Sequence, residues 1–371
     1  LRVADGLDHS HIQDAVVRRA ALHGRVFRVE VNSDMYPGNI LSAERKADLW
    51  NRIFENRIVL APRPSGKRSM AAGGPAATSP VLETARRILC LLFRQVEDNR
   101  KAILGGDRDP ERLHDMRVAI NRFRAALRLF GPELESTCAD RLDRNLALFR
   151  RSTGRARDIH VWMSFLNSGA VRAALARQRG WPAYALSQRD THTREQGQLL
   201  LALRSAGGLR IGRDMARLVR VEIPMLQAVS GTGRFRPLAA RRLARAYRRL
   251  TARKRRAKDL STRRMHTLRK KCRGLRYWAE FAAATGDSDI SELAARLRTV
   301  THTLGSLHDL SIRLDDARAG RDPMPARLTG LLERRRSVAA RRLSKAWSDL
   351  ADSAFRRRLL KRLRAFQGRR M

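Results

Sequence analysis

Aromatic side chains are scarce in this sequence: Phe, Trp and Tyr make up 5% of its 371 residues and follow the spacing of buried positions. Proteins that hold single-stranded nucleic acid stack its bases on exposed rings, so this shortage argues against a stacking surface. Cysteine is also sparse. Cys90, Cys138 and Cys272 stand in apolar helical patterns without a CxxC pair, which predicts reduced core residues and a cytosolic setting.

Long apolar runs are missing as well, since none approaches the roughly 20 residues that a membrane span requires. No signal peptide is visible either, so the sequence does not predict a membrane partner. The first residue is Leu1 rather than methionine, which indicates a piece of a longer gene product or an incomplete reading frame.

Acidic residues are few relative to basic ones: 36 Asp and Glu stand against 78 Lys and Arg, for a formal charge of +42. Such an imbalance predicts an extended polyanion as partner. Arginine is the commoner base, and its planar fork binds phosphate oxygens in pairs, whereas lysine offers a point charge. The length of 371 residues allows two or three domains, and 43% apolar residues are enough to form their hydrophobic cores.

Residues 1–62 differ from the rest of the chain in their pattern of apolar and polar residues. The opening, LRVADGLDHSHIQDAVVRRA, predicts a helix, and Arg25 to Asn32 alternates with period two like a strand. A second helix is predicted from Ala43 to Glu55, before the short apolar run RIVLAP. These elements predict a small α+β segment. Residues 63–80 are rich in Gly, Ala, Pro and Ser and predict a linker.

Three stretches of this segment carry a family resemblance: LRVADGLDHSH, RVFRVEV and ERKADLWNRIFENRIVLAP. They resemble the tail of the C-terminal, HD-like helical domain of the exopolyphosphatase/guanosine-pentaphosphate phosphohydrolase family, which implies a remnant of that domain. Asp5 would match an aspartate that completes a metal cluster in HD-type sites. The upstream His and His-Asp pair of such sites are missing, and the simpler interpretation of Asp5 and Asp8 is as solvated helix acids.

Beyond the linker the sequence is helical almost throughout. Ser79-Pro80 and Asp109-Pro110 each place a capping residue before a proline at the first helical position. Helices are predicted at about 81–104, 110–130, 133–152, 156–168, 182–203, 213–228, 237–258, 262–282, 289–303, 306–319, 325–343 and 345–366. This region therefore predicts an all-α fold.

Two of these helices, Leu113 to Phe130 and Met265 to Ala282, carry the same double pattern. Apolar residues step by three and four along each, which predicts one buried face. Beside that face runs a polar, mostly basic stripe with the same spacing: His114, Arg117, Asn121, Arg124 and Arg128 in the first helix, and His266, Arg269, Arg273, Arg276 and Glu280 in the second.

The matching helices belong to a longer internal repeat. At an offset of 152 residues Arg117 matches Arg269, Arg124 matches Arg276 and Arg144 matches Arg296. Near the fourth helix the offset is 151: Gly154 matches Gly305 and Arg157-Asp158 matches His308-Asp309. A period near 150 predicts two copies of a whole helical bundle rather than a solenoid. A pseudo-twofold between the bundles would set the two basic stripes against each other around a linear polyanion.

Two pairs of stretches point to a known family: HDMRVAINRFRAALRLF with TGRARDIHV, and MHTLRKKCRGLRYWAEFA with LGSLHDL. The sequence resembles the CHAD family, the conserved histidine α-helical domain, over roughly residues 80–366. The resemblance implies an all-α domain of two pseudo-symmetric helical bundles, with halves at about 81–230 and 235–366. It further implies binding of inorganic polyphosphate in a basic groove, often beside triphosphate tunnel domains or other polyphosphate enzymes.

The resemblance also implies which residues bind polyphosphate. Its matching positions are His114, Arg117, Arg122, Arg124, Arg157, His266, Arg269, Lys270, Arg273, Arg276 and His308, to which the repeat adds Arg144 and Arg296. The sequence departs from the family pattern at Asn121, Thr267 and Gly274. Asp158 and Asp309 have two interpretations, either orienting a base or capping a helix. No catalytic residue, metal or cofactor is predicted.

We therefore predict a non-catalytic protein that binds polyphosphate between two bundles and serves as a targeting or scaffolding unit in polyphosphate metabolism. Polyphosphate-metabolising enzymes are the expected protein partners, in the cytoplasm or at polyphosphate granules. Three alternatives stay open from the residues alone. The stripes are solvated helix faces, the chain binds nucleic acid non-specifically at low salt, or it is part of an enzyme that hydrolyses polyphosphate.

Overall fold

The computed structural model describes residues 16–23, 26–32, 57–62, 79–135, 137–229, 233–252, 262–320, 322 and 324–367. The chain divides into two compact units, one formed by Leu1–Thr78 with Ala283–Asp287 and the other by Ser79–Ala282 with Ser288–Met371. The predicted domain boundaries at 62 and 80, and the two halves of the helical region, stay predictions.

The first unit contains a three-stranded sheet of β1 (Val16–His23), β2 (Val26–Asn32) and β3 (Arg57–Pro62). β1 pairs antiparallel with β2, whereas β3 pairs parallel to β2. The strand predicted at 25–32 is confirmed. The opening helix is wrong in its last part, because residues from Val16 onward pair with β2. The helix predicted at 43–55, the linker to residue 78, and Asp5 and Asp8 lie outside the described residues.

The second unit is helical, which confirms the predicted all-α fold of this region. Its helices are α1 (Val81–Leu104), α2 (Pro110–Leu129), α3 (Ala139–Ser152), α4 (Gly154–Leu166), α5 (Gly169–Leu175), α6 (Trp181–Arg204), α7 (Ala206–Arg217), α8 (Ile223–Val229), α9 (Phe235–Thr251), α10 (Thr262–Ala283), α11 (Ser288–Arg318), α12 (Ala326–Leu350) and α13 (Ser353–Phe366). A short 3-10 helix follows α2 at Gly131–Leu134, and a π-helical turn at Leu218–Glu222 leads into α8.

Helix starts follow from local side-chain chemistry at some positions and from tertiary contacts at others. Asp109 accepts a hydrogen bond of 2.9 Å from the backbone N–H of Glu111, with Pro110 at the first position of α2, as predicted. The cap predicted at Ser79 is wrong, because Pro80 itself is the residue before α1. Backbone bonding between residues 79–81 and 233–235 fixes this start instead.

The largest difference between prediction and structure in this unit concerns α11. Two helices were predicted, at 289–303 and 306–319, but one helix runs through from Ser288 to Arg318. Gly305 lies inside it, and a Cβ there would approach Arg269 Nη2 to 3.4 Å. The glycine therefore makes room for a neighbouring guanidinium, whereas at the matching position the chain does break, between α3 and α4.

The core forms along the apolar faces of α2 and α10, as their periodicity predicts. Met116, Ile120 and Phe123 are fully buried, and Leu268 and Cys272 are buried on the other helix. α1 packs along α2, and α11 packs along α12. Cys90, Cys138 and Cys272 are all free thiols, which agrees with the predicted reduced state. None of the described helices is long and apolar enough to cross a membrane.

Candidate functional site

The indole of Trp278 ties α10 to α2: its Nε1 donates a hydrogen bond of 2.8 Å to the carbonyl oxygen of Ala125. This contact holds the two basic helices side by side. Arg117 on α2 therefore lies close enough to Arg269 and Arg273 on α10 for their charges to influence its pKa. The structure thus brings together side chains that are about 150 residues apart in the sequence.

Arg117 is held in place by the C-terminal end of α3. Its Nη1 donates to the carbonyl oxygen of Arg150 at 2.7 Å and to Thr153 Oγ1 at 2.9 Å. The same guanidinium lies beside Gly154, where an added Cβ would be 3.9 Å away. With its donors fixed on one side, the half-buried guanidinium is preorganised rather than free to swing into solvent.

Arg269 has an equivalent neighbour in the second half of the chain. Its guanidinium lies against Gly305, the residue that the repeat matches with Gly154, and Nη1 is 3.6 Å from an oxygen of Asp309. Each of the two matched arginines therefore packs on its matched glycine. This correspondence is the contact expected of a repeat, while the pseudo-symmetry of whole bundles stays a prediction.

Five basic side chains from three helices converge around these two arginines, and we call them the cationic cluster: Arg117, Arg150, Arg269, Lys270 and Arg273. Burial, followed by the charges of Arg269 and Arg150, lowers the pKa of Arg273 to about 10. Burial followed by the charge of Arg150 also lowers the pKa of Lys270. A guanidinium stays charged at neutral pH even so. The lowered pKa values report burial first and crowded positive charge second, and the crowded charge favours an anion.

Two carboxylates lie within the same cluster, Asp158 on α4 and Asp309 on α11. Both are accessible to solvent, yet neighbouring protein desolvates them and raises their pKa values, and the charge of Asp309 raises that of Asp158 further. Neither begins a helix, so the predicted capping role is wrong and the predicted role in orienting a base fits Asp309 beside Arg269. Two acids cannot neutralise five bases, and the cluster keeps a net positive charge.

Arg124 stands at the margin of the cluster. Its charge lowers the pKa values of Arg150 and Lys270, but its Nε is 2.7 Å from Asp143 Oδ1. Arg128 binds the other oxygen of the same carboxylate at 2.9 Å. One acid is thus shared between two arginines, which leaves part of their charge for a ligand.

Arg122 and Arg276 belong to a buried ionic group next to the cationic cluster, although the charge of Arg276 still reaches Arg273. Arg122 is 5% exposed and lies 3.6 Å from Glu280, and Arg276 contacts the same carboxylate at 3.4 Å. Arg298 adds a third contact at 3.4 Å. Burial alone would raise the pKa of Glu280, but the charges of Arg276, Arg122 and Arg298 outweigh it and lower the pKa. These arginines hold the helices together, and the ligand contacts predicted for Arg122 and Arg276 stay predictions.

Three further predicted arginines lie outside the cationic cluster. Arg144 is exposed on α3. Arg296 bonds Glu292 and lies 4.1 Å from the ring centroid of Phe355 on α13. Arg157 donates to the backbone oxygen of Pro110 at 3.3 Å and pairs with Glu111, although its charge reaches Arg117.

The predicted histidines occupy two different places. His266 and His308 contact each other beside Arg269, with 3.4 Å between His266 Nδ1 and His308 Nε2. His114 lies near the start of α2, where its ring and the carboxylates of Glu111 and Asp115 have ligand atoms within 4.8 Å of one another. Such a group is what a divalent cation needs. Glu111, however, is exposed and already pairs with Arg157, so the group fits a metal poorly.

Arg150 and Arg151 are the site residues that the sequence did not reveal. Arg150 belongs to the cluster, and the charge of Arg151 reaches Lys270. An offset of 151 places Thr301 and His302 opposite them, so a search for bases that recur in both halves passes over them. Their one sequence signal is position, four and three residues before Gly154.

Comparison with known proteins gives a family for this arrangement. The family model described as CHAD domain matches residues 87–317, well over half of the chain. The fold is similar to the crystal structure of the CHAD domain from the plant Ricinus communis, with a TM-score of 0.55, 20% identity, and coverage of 82% of this chain and 97% of that one. PptA from Streptomyces chartreusis is also similar, with a TM-score of 0.47, 17% identity, and coverage of 78% and 98%. No curated protein sequence matched the chain. On the family match, this chain belongs to the CHAD family.

Proposed function

We propose that this chain binds inorganic polyphosphate at the cationic cluster. The observation that carries the proposal is the convergence of five bases from α2, α3 and α10 around two carboxylates. Membership of the CHAD family supports the same ligand, because the family resemblance implies binding of inorganic polyphosphate in a basic groove. A guanidinium group that is already held by hydrogen bonds to the backbone loses little conformational entropy when it binds phosphate.

The spacing of the cluster suits a linear chain of phosphates. Residues three and four apart on one helix lie about 5–6 Å apart at Cβ, comparable to the reach of one arginine fork across neighbouring phosphates. Arg269 and Arg273 have this spacing on α10, and Arg117 faces them from α2. In our proposal the polyanion runs between the two helices, with both predicted halves of the domain contributing bases.

The role that follows is targeting or scaffolding rather than catalysis. In this proposal the domain holds a polyphosphate-metabolising enzyme at its substrate, in the cytoplasm or at polyphosphate granules. Catalysis of phosphoryl transfer would need acids that place Mg²⁺ on the phosphates. Asp158 and Asp309, the carboxylates within the cluster, are engaged with its arginines instead.

Nucleic acid is the alternative polyanion. Stacking of bases needs exposed rings, and among the described residues the strongly exposed large apolar side chains are aliphatic rather than aromatic. The cluster offers charge without a platform for bases, which favours a ligand that consists of phosphate alone.

A single incubation tests both parts of the proposal. The chain is mixed with fluorescently labelled long-chain polyphosphate and Mg²⁺, and both complex formation and the length of the recovered polymer are measured. We expect a saturable complex and polymer of unchanged length. Absence of a complex would refute the binding site, and shortened polymer would refute the non-catalytic role.

A further inference from the structure

Two imidazole rings meet at the edge of the cationic cluster. His266 Nδ1 on α10 lies 3.4 Å from His308 Nε2 on α11, and the ring centroids are 5.2 Å apart. His266 is half-buried, whereas His308 is only 7% exposed. A contact of this kind accepts at most one shared proton, because two fully protonated rings would point N–H groups at each other.

The charges that face this pair are mostly positive. Arg269, Lys270 and Arg273 act on His266 from its own helix, and Arg269 also acts on His308. Within the part of the chain that the structure describes, the charge of Asp158 on α4 opposes these bases at His308, while Asp309, next to His308 in sequence, pairs with Arg269. Arg117 and Arg150 stand one layer further out, close to Arg269.

In the free protein this environment keeps the imidazoles neutral. Burial, followed by the charge of Lys270, lowers the pKa of His266 to about 4, and burial followed by Arg269 lowers that of His308. A bound polyanion would reverse the local potential, since each phosphate brings a negative charge next to the same bases. Because the electrostatic potential at the two rings differs between the free and the bound state, their pKa values differ between these states as well.

We propose that the His266–His308 pair takes up a proton when polyphosphate occupies the cationic cluster, so that the ligand binds more tightly in mildly acidic solution. This inference rests on the proposed function. The pair would add positive charge only when the ligand is present, which avoids further repulsion inside the empty cluster. Binding and protonation are then linked in both directions.

The carboxylates of the cluster respond to acid in the same direction. Protonation of Asp158 or Asp309, whose pKa values are raised chiefly by desolvation, also makes the cluster more positive. The contribution of the two carboxylates to the pH dependence of the affinity is measured separately with the variant Asp158→Asn/Asp309→Asn. The histidine share is the part of the pH dependence that survives in that variant.

The chain contains a matched control for the histidine contact. His192 Nε2 lies 3.4 Å from His160 Nδ1, with ring centroids 5.3 Å apart, a geometry close to that of the first pair. The charges that act on His160 come from His192, Arg157, Glu111 and Asp109 rather than from the cationic cluster. Replacing this second pair removes two imidazole rings in a matching contact without touching the proposed linkage.

The test is the affinity for long-chain polyphosphate at about pH 7.5 and 5.5, at constant ionic strength. If binding restores the pKa of His266 from about 4 to its ordinary value of 6.5, affinity rises about tenfold between these pH values. Calorimetry in buffers of different ionisation enthalpy should show proton uptake on binding at the lower pH. Long chains are used because their terminal phosphates, which titrate themselves, are then a small fraction of the ligand.

His266→Gln/His308→Gln should lose most of the tenfold gain in affinity between about pH 7.5 and 5.5, whatever its affinity at 7.5, whereas His160→Gln/His192→Gln should keep that gain. Should the double variant fail to fold, His266→Gln alone gives the same test, because that ring is half-buried. An unchanged pH dependence in the His266 variants, or a flat one in the unsubstituted chain, would overturn the inference. Failure of the unsubstituted chain to bind polyphosphate at either pH would instead refute the proposed function.

Discussion

Polyphosphate affinity is expected to fall about 1000-fold when four bases of the cationic cluster are replaced by glutamine, in the variant R117Q/R150Q/R269Q/R273Q. A hydrogen bond to a charged group contributes about 1.5–3 kcal/mol, and about 4 kcal/mol in total corresponds to this loss even with strong non-additivity. Arg124 and Arg276 are left unchanged because carboxylates already hold them. Titration with labelled polyphosphate measures the loss, and circular dichroism checks that the helices remain.

A matched control separates a site from general charge. The outer face of α9 carries four exposed arginines, and R241Q/R245Q/R248Q/R249Q removes the same number of positive charges. Its affinity should change little, because exposed charges act through a screened field. Equal losses in the two variants would mean that polyphosphate binds to the overall positive charge and that the cationic cluster is no site.

The second large effect concerns stability rather than binding. Glu280→Ala should lower the free energy of unfolding by about 3–5 kcal/mol, the usual result of removing one partner from a buried ionic group. The substitution leaves Arg122 and Arg276 buried with no carboxylate between them, and both side chains are at most one-fifth exposed. Chemical denaturation followed by circular dichroism measures the change.

An exposed ion pair supplies the comparison for Glu280. Arg318 and Glu333 lie 3.1 Å apart with side chains 54% and 51% exposed, so Glu333→Ala should cost under about 1 kcal/mol. If Glu280→Ala costs no more than Glu333→Ala, the buried group does not hold α2, α10 and α11 together as described.

The sequence predicted the helical fold and the choice of faces well, because both follow from local periodicity. Met116, Ile120 and Phe123 recur at helical spacing and are buried, and Arg117 and Arg269 recur beside them and meet. Repetition of the pattern in two helices indicated that the basic stripes belong together. The repeat also matched Gly154 with Gly305, and the matched arginines contact these two glycines, although the contacts themselves were not predicted.

Periodicity could not sort the arginines within a stripe. It gives the direction of a side chain around its own helix, whereas the fate of Arg122 and Arg276 is decided by Glu280 and by Arg298 on another helix. Arg150 was missed for the complementary reason: it has no basic counterpart in the second half, and tertiary packing alone brings it to Arg117. The repeat likewise predicted a break at Gly305, whereas α11 runs through it and the glycine leaves room for Arg269 instead.

In our proposal the cationic cluster selects a chain of phosphates over other polyanions. Its most direct test is competition: labelled long-chain polyphosphate bound to the chain is challenged with duplex DNA at equal phosphate concentration and near-physiological salt. We expect the polyphosphate to remain bound, because in our proposal the five converging side chains of the cluster are suited to phosphate alone, and because non-specific DNA binding weakens steeply with salt. Displacement by DNA as effective as that by unlabelled polyphosphate would contradict the claim.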